Sequence, residues 1–503
     1  MISRKVLLVM MSQGSSALLG IVSLPVIARY IPKADYGLVI FVFGLIGMLS
    51  FLADLGFSQA HVKRMTEGND PGVCVGTFFT IKFILIGFLI AGTILLFIFW
   101  EKLLGYGYQS PATPIVARII LGHYILLQLH QMFYATFQSK KQTALQEMPV
   151  LAMNATRFGA ILFVAFTGMG IFALAGTYFI AGAAGAIVAS SIFLKHGVQI
   201  KKPSWEMIKS YTKFAMPLII FTTMMTIALN TDKVMIQLFW DSVEVADYGM
   251  SQRIVTILLG LSAAVGTLLF PVISEAHAQG NMARIRKVTH SAERYLSLTI
   301  LPIIVVFLAY PYEIFHIIGD QYLTAATILR IMTIYALVYV MFAIYIYQMN
   351  GLNRPGITAK VTLLVSLLNI GLNLILIPTS IFGFPLAGWG IEGAGIATTA
   401  STVIGLVIIR YYSYKFAGMK TNNRLALHFL AAVLSIEVLL LLAKISPPDR
   451  IFLLAPYALA GLGIFAGALW FMGELTKKDI DFFLSTINPK EMLSYIWKEM
   501  KHG

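Results

Sequence analysis

The chain has 503 residues, of which 58% are hydrophobic and only 12% are charged, and its mean hydropathy is +0.81. Soluble proteins carry roughly 25% charged residues, so the composition excludes an ordinary soluble domain. It indicates an all-α, polytopic membrane protein, because a barrel would show short period-2 alternation instead. The single cysteine, Cys74, excludes an internal disulfide and a cysteine metal cage.

Apolar runs predict about fourteen transmembrane helices, and no loop between them is long enough to be a soluble domain. The first run is too long for a signal-peptide core and lacks a small-residue cleavage site, so we interpret it as a retained span. The boundary between spans five and six rests on the turn Thr167-Gly168-Met169-Gly170. The predicted spans are 6–30, 37–60, 74–100, 114–138, 147–168, 170–194, 213–239, 249–274, 294–319, 326–350, 356–378, 393–416, 424–444 and 452–473.

Lysine and arginine predict the orientation of the chain. Of the 37, 26 fall in loops on the side of the N-terminus, 4 in the opposite loops and 7 in or at the edges of spans. The positive-inside rule then places both termini in the cytoplasm. The net charge of +14 is explained by these loops, so a nucleic-acid partner is not expected. In the tail, Met492, Leu493, Ile496, Trp497 and Met500 have helical spacing, which fits either a helix on the inner leaflet or a solvated segment.

A polar stripe on span seven is the first indication of a transport path. At about 100° per residue, Thr223, Thr226, Asn230, Lys233 and Gln237 fall on one face, while Asp232 points elsewhere. Polar side chains on a spanning helix are costly unless they face protein or a water-filled cavity.

An internal repeat predicts two equivalent lobes. Ala-Asp-Tyr-Gly occurs at 34–37 and again at 246–249, Arg118 and Arg330 share the same offset of 212, and similar Ser-x-Ala-His segments close spans two and eight. Six spans per repeat give both units the same direction, with a substrate site expected between them. The predicted divisions are an N-lobe 1–194, a cytoplasmic linker 195–212, a C-lobe 213–416, extra spans within 417–473 and a cytoplasmic tail 474–503.

Cations within the spans predict an anionic cargo. Arg157 is roughly mid-membrane, on one face with Asn154, and no interface is within easy reach of its side chain. Lys82 is somewhat shallower. The others could equally snorkel to headgroups or pair with loop acids such as Asp35, Asp247 and Asp320. The candidate translocation residues are Arg29, Lys82, Arg118, Arg157, Asn230, Asp232, Lys233, Arg253 and Arg330.

Acidic residues in the spans have a different predicted role. Asp54 and Asp232 could balance the cavity charge or bind a coupling cation, and structural ion pairing is favoured for Asp54. Other patterns are weak: residues 388–393 match G-x-G-x-x-G without a preceding strand, which favours a turn. Ala181, Gly185 and Ala189 have the spacing that allows close helix contact. Absence of a P-loop or a nucleophile–base arrangement argues against an enzyme.

Several segments of the chain resemble the polysaccharide transporter family, which includes O-antigen flippases, within the multidrug/oligosaccharidyl-lipid/polysaccharide exporter superfamily. The likeness begins within Gly14 to Arg64 and resumes in span seven, covering most of the first twelve spans. The segments that carry it are Ala28-Arg29-Tyr30-Ile31, Asp35-Tyr36-Gly37, Leu55-Gly56-Phe57, Met216-Pro217, Asn230-Thr231-Asp232-Lys233, Tyr248-Gly249 and Phe270-Pro271 through Ser274-Glu275.

This resemblance implies two six-helix lobes, alternating access and translocation of a polyprenyl-diphosphate-linked oligosaccharide from the cytoplasmic to the outer leaflet. It implies a lipid-linked glycan and membrane lipids as partners, with a polysaccharide polymerase or glycosyltransferases as candidate protein partners. No cofactor is implied, apart from coupling to a Na⁺ or H⁺ gradient. Arg29 and Asp232 match family-like positions.

Two other functions remain open from the sequence. A cation-coupled multidrug exporter of the same superfamily would favour acidic residues in its cavity, whereas this chain has mainly basic ones. A membrane-embedded glycan ligase or glycosyltransferase would need catalytic side chains, often on a sizeable outer loop, and none is visible.

Overall fold

The computed structural model describes residues 2–103, 110–196, 199–445, 451–477 and 479, and within them the fold is all-α apart from one short hairpin. The predicted tail helix around Met492 lies outside these residues. The helices are α1 (Ile2–Tyr30), α2 (Lys33–Leu49), α3 (Phe57–Thr66), α4 (Pro71–Leu103), α5 (Thr113–Ser139), α6 (Thr143–Thr167), α7 (Ile171–His196), α8 (Trp205–Phe239), α9 (Ser242–Ala278), α10 (Met282–Ala309), α11 (Pro311–Ile318), α12 (Ala326–Gly351), α13 (Pro355–Leu376), α14 (Gly390–Ala417), α15 (Arg424–Ile445) and α16 (Ile451–Phe471).

Long helices account for most of the predicted spans. Twelve of the fourteen spans each coincide with one long helix, whereas span two divides into α2 and α3 and span nine into α10 and α11. Eleven segments of the described chain are long and apolar enough to cross a membrane. The turn predicted between spans five and six is confirmed, because α6 ends at Thr167 and Gly168 has a φ of 68°. A left-handed glycine at this position is a common helix terminator.

Span two is where the predicted boundaries were wrong. A single helix was predicted over 37–60, but α2 ends at Leu49 and is followed by a 3-10 turn, Ser50–Ala53. Leu55 and Gly56 both have positive φ, after which α3 begins at Phe57. A Cβ at Gly56 would lie 3.1 Å from Leu218 Cβ, so the break also lets α8 approach closely.

The loop predicted over Glu275–Glu293 was also wrong, since nearly all of it is helical. α9 continues to Ala278, and α10 begins at Met282, twelve residues before the predicted start of span nine. Asn281 caps α10 by accepting a hydrogen bond from the backbone N–H of Arg284. The segment 388–393 forms a turn and the start of α14, after a hairpin that pairs β1 (Ser380–Ile381) with β2 (Phe384–Pro385).

The chain divides into two compact units. We call the N-unit Lys5–Gly249 with Asn373–Gly390, and the C-unit Met1–Arg4, Met250–Leu372 and Ile391–Gly503. The unit boundaries therefore fall inside α9 and α13, and α8 belongs to the N-unit. The six-span lobes remain a prediction. They follow the repeat in the sequence, whereas the two units are defined by contacts within the fold.

Small residues on α7 allow the close packing that positions α5, α6 and α7 in the N-unit. Ala181, Gly185 and Ala189 are all buried, as predicted. A Cβ at Gly182 would lie 3.0 Å from His123 Nδ1 on α5, and one at Gly185 would lie 3.0 Å from Met153 Sδ on α6. Backbones at this separation gain van der Waals contact where no hydrophobic driving force exists between helices.

Candidate functional site

Arg157 lies within the membrane-spanning part of the N-unit. It is ten residues before the end of α6, which corresponds to about 15 Å at 1.5 Å per residue. Its guanidinium carbon is 3.9 Å from the ring centroid of Tyr178 on α7, and the side chain is half-buried. Beside it, Asn154 donates a hydrogen bond of 2.6 Å to Ser16 Oγ on α1. The tyrosine face stabilises the guanidinium charge by a cation–π contact.

An aromatic cluster supports Tyr178 from behind. Phe43, His123 and Tyr124 surround it, and the ring centroids of Phe43 and Tyr178 are 5.0 Å apart. His123 Nδ1 lies 2.8 Å from the carbonyl oxygen of Tyr178, which can only accept, so this nitrogen carries the proton. This hydrogen bond joins α5 to α7. Tyr178 had no signal of its own in the sequence.

The polar stripe on α8 packs against α2 within the N-unit. A Cβ at Gly44 would lie 3.3 Å from Lys233 Cβ, and one at Gly47 would lie 2.7 Å from Tyr124 Oη and 3.1 Å from Asn230 Oδ1. The Tyr124 hydroxyl donates to the carbonyl oxygen of Phe43, at 3.1 Å. The stripe thus adjoins the aromatic cluster that supports Tyr178, and it contacts protein on this face, as its polarity requires.

Asp232 projects from another face of α8 and is buried. Its two carboxylate oxygens accept hydrogen bonds from the Tyr248 hydroxyl on α9 and from the Asn373 side-chain amide at the end of α13. Asp232 is 5% exposed and Asn373 is fully buried. Charge-assisted donors of this kind offset part of the cost of burying a carboxylate. Tyr248 belongs to the repeated Ala-Asp-Tyr-Gly motif, but no pattern in the sequence indicated Asn373.

Lys82 is fully buried in a polar network that is separate from Arg157. Its ammonium donates to the Ala53 carbonyl oxygen at 2.7 Å, to Gln128 Oε1 at 2.6 Å and to Asp54 Oδ1 at 3.1 Å. The side chain has no exposed surface. The ion pairing predicted for Asp54 is confirmed, and Ser58 Oγ also donates to its carboxylate. An ammonium has three protons, and all three are used here.

The remaining cations are dispersed. Arg29 and Arg118 are exposed on α1 and α5, and Arg118 Nε is 3.3 Å from the Pro114 carbonyl oxygen. In the C-unit, Arg253 and Arg330 are half-buried, and Arg330 Nε donates to the Leu308 carbonyl oxygen at 3.2 Å. Of the loop acids considered as partners, Asp247 pairs with Lys33 at 2.7 Å and Asp320 pairs with His316.

The repeated motif is a close helix crossing within the N-unit. A Cβ at Gly37 would lie only 1.6 Å from the Ser242 carbonyl oxygen, and one at Gly249 would lie 3.2 Å from Ile40 Cγ2. The first turns of α2 and α9 therefore touch, and the Lys33–Asp247 ion pair joins the same two turns. A side chain at Gly37 would require the two helices to separate.

An apolar groove of about 890 Å³ runs between α10 and α16 in the C-unit. Its walls are almost wholly hydrocarbon and contain no charged side chain. The lining includes Leu298, Pro302, Val306 and Phe307 on α10, with Leu459, Leu462 and Phe465 on α16. Such a surface suits an alkyl or isoprenoid chain.

The long apolar helices define a multi-pass membrane protein. A family described as polysaccharide biosynthesis protein matches residues 2–277, and the family described as MatE matches residues 207–375. Since the first match covers more than half of the chain, the protein belongs to the polysaccharide biosynthesis protein family. The predicted family is thereby confirmed.

Known proteins agree with this assignment. The chain is 24% identical over 401 residues to the "probable low-salt glycan biosynthesis flippase Agl15" of Haloferax volcanii, covering 78% of this chain and 79% of that protein. Its structure resembles the lipid II flippase MurJ in an inward closed conformation, with a TM-score of 0.72, 15% identity and 92% and 98% of the two chains covered. It also resembles an inward-facing multidrug resistance MATE family transporter of the MOP superfamily, with a TM-score of 0.62 and 15% identity. That likeness covers 80% of this chain and 100% of the other. At this identity the structural likenesses show the fold.

Proposed function

We propose that this protein is a flippase that moves a polyprenyl-diphosphate-linked oligosaccharide from the cytoplasmic to the outer leaflet, for cell-surface polysaccharide biosynthesis. The observation that carries the proposal is Arg157, a half-buried guanidinium about 15 Å inside a spanning helix. An intramembrane cation is costly, and its default interpretation is a substrate or ion pathway. Family membership and the printed function of the Haloferax volcanii relative support the same cargo class.

A diphosphate is the part of such a cargo that an arginine recognises best. The planar guanidinium fork matches phosphate oxygens in a bidentate geometry, and a stacked aromatic ring holds the fork in orientation. Tyr178 provides that ring, 3.9 Å from the guanidinium carbon. In this proposal the head group crosses by alternating access through a cationic central cavity, with Arg157 as its principal ligand.

The other candidate residues have graded roles in the proposal. Lys233 and Asn230, beside Tyr124, extend the polar path towards the outer side. Arg29, Arg118, Arg253 and Arg330 attract the anionic head group at the membrane surface. Lys82, whose three protons already have acceptors, holds the scaffold. Asp232 is the carboxylate available for coupling to a Na⁺ or H⁺ gradient.

The lipid chain of the cargo needs an apolar surface while the head group crosses. The groove between α10 and α16 offers one, because no charged side chain lines it. The positive-inside rule supports cytoplasmic termini, and in this proposal the cargo is loaded from the side where 26 of the 37 lysines and arginines lie. The protein acts in this scheme as a transporter and not as an enzyme.

Reconstitution tests the proposal directly. The full chain is placed in liposomes with a fluorescent lipid-diphosphate oligosaccharide, and the fraction of label open to a membrane-impermeant quencher is followed over time. Wild type should accelerate leaflet exchange. Arg157→Ala should slow it by about tenfold or more, because a hydrogen bond between charged groups contributes about 1.5–3 kcal/mol.

Two matched variants separate charge from geometry. Arg157→Lys keeps the positive charge but loses the planar guanidinium fork. Its rate of leaflet exchange should therefore lie between those of wild type and Arg157→Ala. Lys202→Ala, which removes an exposed cation from the loop before α8, should leave the rate unchanged. Exchange that wild type does not accelerate would reject the flippase function. Accelerated exchange that Arg157→Ala leaves intact would reject only the site.

The MatE match over residues 207–375 keeps a cation-coupled multidrug or small-molecule exporter as the second candidate. The two functions differ in cargo charge, since a cationic drug would be repelled by Arg157 and Lys233. Gradient-driven uptake of a cationic dye into the same liposomes, without lipid exchange, would favour the exporter.

A further inference from the structure

A buried carboxylate in the C-unit was absent from the predicted sites. Glu293 was placed in a loop by the sequence, but it lies eleven residues inside α10 and is 1% exposed. The hydroxyl of Tyr345 on α12, also 1% exposed, donates to Oε1. His290, one turn earlier on α10, has Nδ1 3.0 Å from Oε2. The carboxylate therefore has a donor on each oxygen, and one of them is titratable.

We propose that Glu293 and His290 form a proton-binding site whose occupancy controls the packing of α10 against α12. One exchangeable proton is held between Glu293 Oε2 and His290 Nδ1. With the proton on Oε2 the pair is a neutral carboxylic acid beside a neutral imidazole, which a buried site favours over a bare carboxylate. When the proton leaves, the pair carries one uncompensated negative charge.

Exposure gives the proton a route to the carboxylate. The His290 side chain is 33% exposed, whereas that of Glu293 is 1% exposed, although the two groups are in contact. The imidazole can accept a proton from water at its exposed edge and pass one to Oε2 from Nδ1, which is how histidine acts as a shuttle. The proton thus reaches a buried acid without the carboxylate itself contacting solvent.

Helix packing is coupled to the pair through α12. One turn after Tyr345, Gln348 donates from Nε2 to Thr289 Oγ1 on α10, at 3.0 Å. Its Oε1 accepts from Ser413 Oγ on α14, at 2.5 Å. All three side chains are fully buried. Two adjacent turns of α12 therefore make polar contacts with α10. An uncompensated charge on Glu293 would weaken the packing between these two helices.

Two of the ionisable groups near the pair have partners of their own. Arg294 bonds to Glu474 and Asp479 at 2.6–2.9 Å, and His428 bonds to Ser297. The titratable and charged groups on α10 and on the segments around it include Arg284, Arg286, Lys287, His290, Arg294 and Tyr295 on α10, Glu313 and His316 on α11, Tyr345 on α12, Arg410 on α14, Arg424 and His428 on α15, and Glu474 and Asp479 after α16. Arg284 pairs with Glu275, and Arg286 donates to the Ala417 carbonyl oxygen. The guanidinium carbon of Arg410 lies 5.4 Å from the ring centroid of Tyr345, so Arg410 influences Glu293 through its contact with that ring.

Infrared difference titration of the full chain in lipid nanodiscs tests the site, with the proton as the probe. Wild type should show one carboxyl whose C=O band disappears as pH rises, and Glu293→Gln should lose that band. Glu313→Gln, the same exchange on α11, should keep it. His290→Gln should retain the band with a shifted midpoint. Identical titrations for wild type and Glu293→Gln would overturn the proposal.

Hydrogen exchange on the same samples tests the coupling. Amide protection along α12 should fall in wild type as pH rises through the carboxyl midpoint, after correction for the intrinsic rate. In Glu293→Gln, which is permanently neutral and similar in shape, protection should stay independent of pH. Protection that follows pH equally in both proteins would overturn the proposed control of packing. Both measurements omit the cargo, so their failure would leave the flippase assignment untouched.

Discussion

Lys82 and Arg157 are both cations inside spanning helices of the N-unit, yet their surroundings differ completely. Lys82 has no exposed surface, and its ammonium reaches three oxygen acceptors within 3.1 Å. Arg157 is half-buried against the face of Tyr178. A cation that protein acceptors enclose holds helices together, whereas one with accessible surface can meet a ligand. The position of a charge in a span does not distinguish these two cases, but its acceptors and its exposure do.

Removing Lys82 should have the largest effect on stability. Lys82→Met leaves the Asp54 carboxylate beside an uncharged thioether side chain, and breaking a buried pair costs about 3–5 kcal/mol. Because the Asp54 side chain is 33% exposed, we expect the lower end, about 3 kcal/mol. Thermal unfolding in detergent measures this loss. The double variant Lys82→Met with Asp54→Asn should recover most of it, and a double variant as unstable as the single one would contradict a structural pair.

Acid should destabilise the folded protein through another enclosed group, the imidazole of His61. Its ring stacks on Phe78, with Nδ1 2.9 Å from Tyr211 Oη and Nε2 3.0 Å from Thr136 Oγ1, and burial lowers the pKa of His61 to about 3. The unfolded chain, with a pKa of about 6.5, binds the proton more readily than the folded chain. Stability is therefore complete above about pH 6.5 and is lost as pH falls, by about 2 kcal/mol at pH 5.

Denaturation curves from pH 5 to 8 measure the contribution of His61. His61→Gln should flatten this part of the pH dependence, while His316→Gln, at an exposed histidine, should not. An unchanged slope in His61→Gln would show that the folded protein already accommodates the protonated ring.

The smallest effect concerns the stacking of Arg157 on Tyr178. A double-mutant cycle with Arg157→Met and Tyr178→Leu should give a coupling free energy of about 1 kcal/mol, typical of a partly exposed cation–π pair. Tyr178→Phe keeps the ring face and should retain the coupling. A coupling indistinguishable from zero would mean that the aromatic cluster positions Arg157 by shape alone.

Much of the fold could be predicted because bilayer thickness sets the length of each apolar run. Twelve of the fourteen spans each coincide with one long helix, and the turn at Gly168 was predicted correctly. Hydropathy failed where polar residues continue a helix beyond the apolar stretch, as at the start of α10, and where positive φ at Leu55 and Gly56 interrupts one. Neither feature changes the hydrophobic pattern that the prediction follows.

For the site, the sequence indicated which residues are unusual but not their partners. Asp232 was predicted from its place in a span, while Asn373, its donor, is 141 residues away and carries no pattern. Glu293 was assigned to a loop because its neighbours are charged, and only burial against Tyr345 identifies it as a buried acid. Residues far apart in the chain become partners through packing, which a linear pattern cannot report.

The sequence by itself determined that this chain crosses a membrane many times, that its basic loops favour one side, and that cations interrupt its apolar spans. Those properties follow from local composition, since each segment must match the bilayer independently. Only the tertiary structure decided that Lys82 is enclosed while Arg157 keeps accessible surface. That distinction depends on which oxygen atoms other helices bring within about 3 Å, the distance at which a hydrogen bond replaces water.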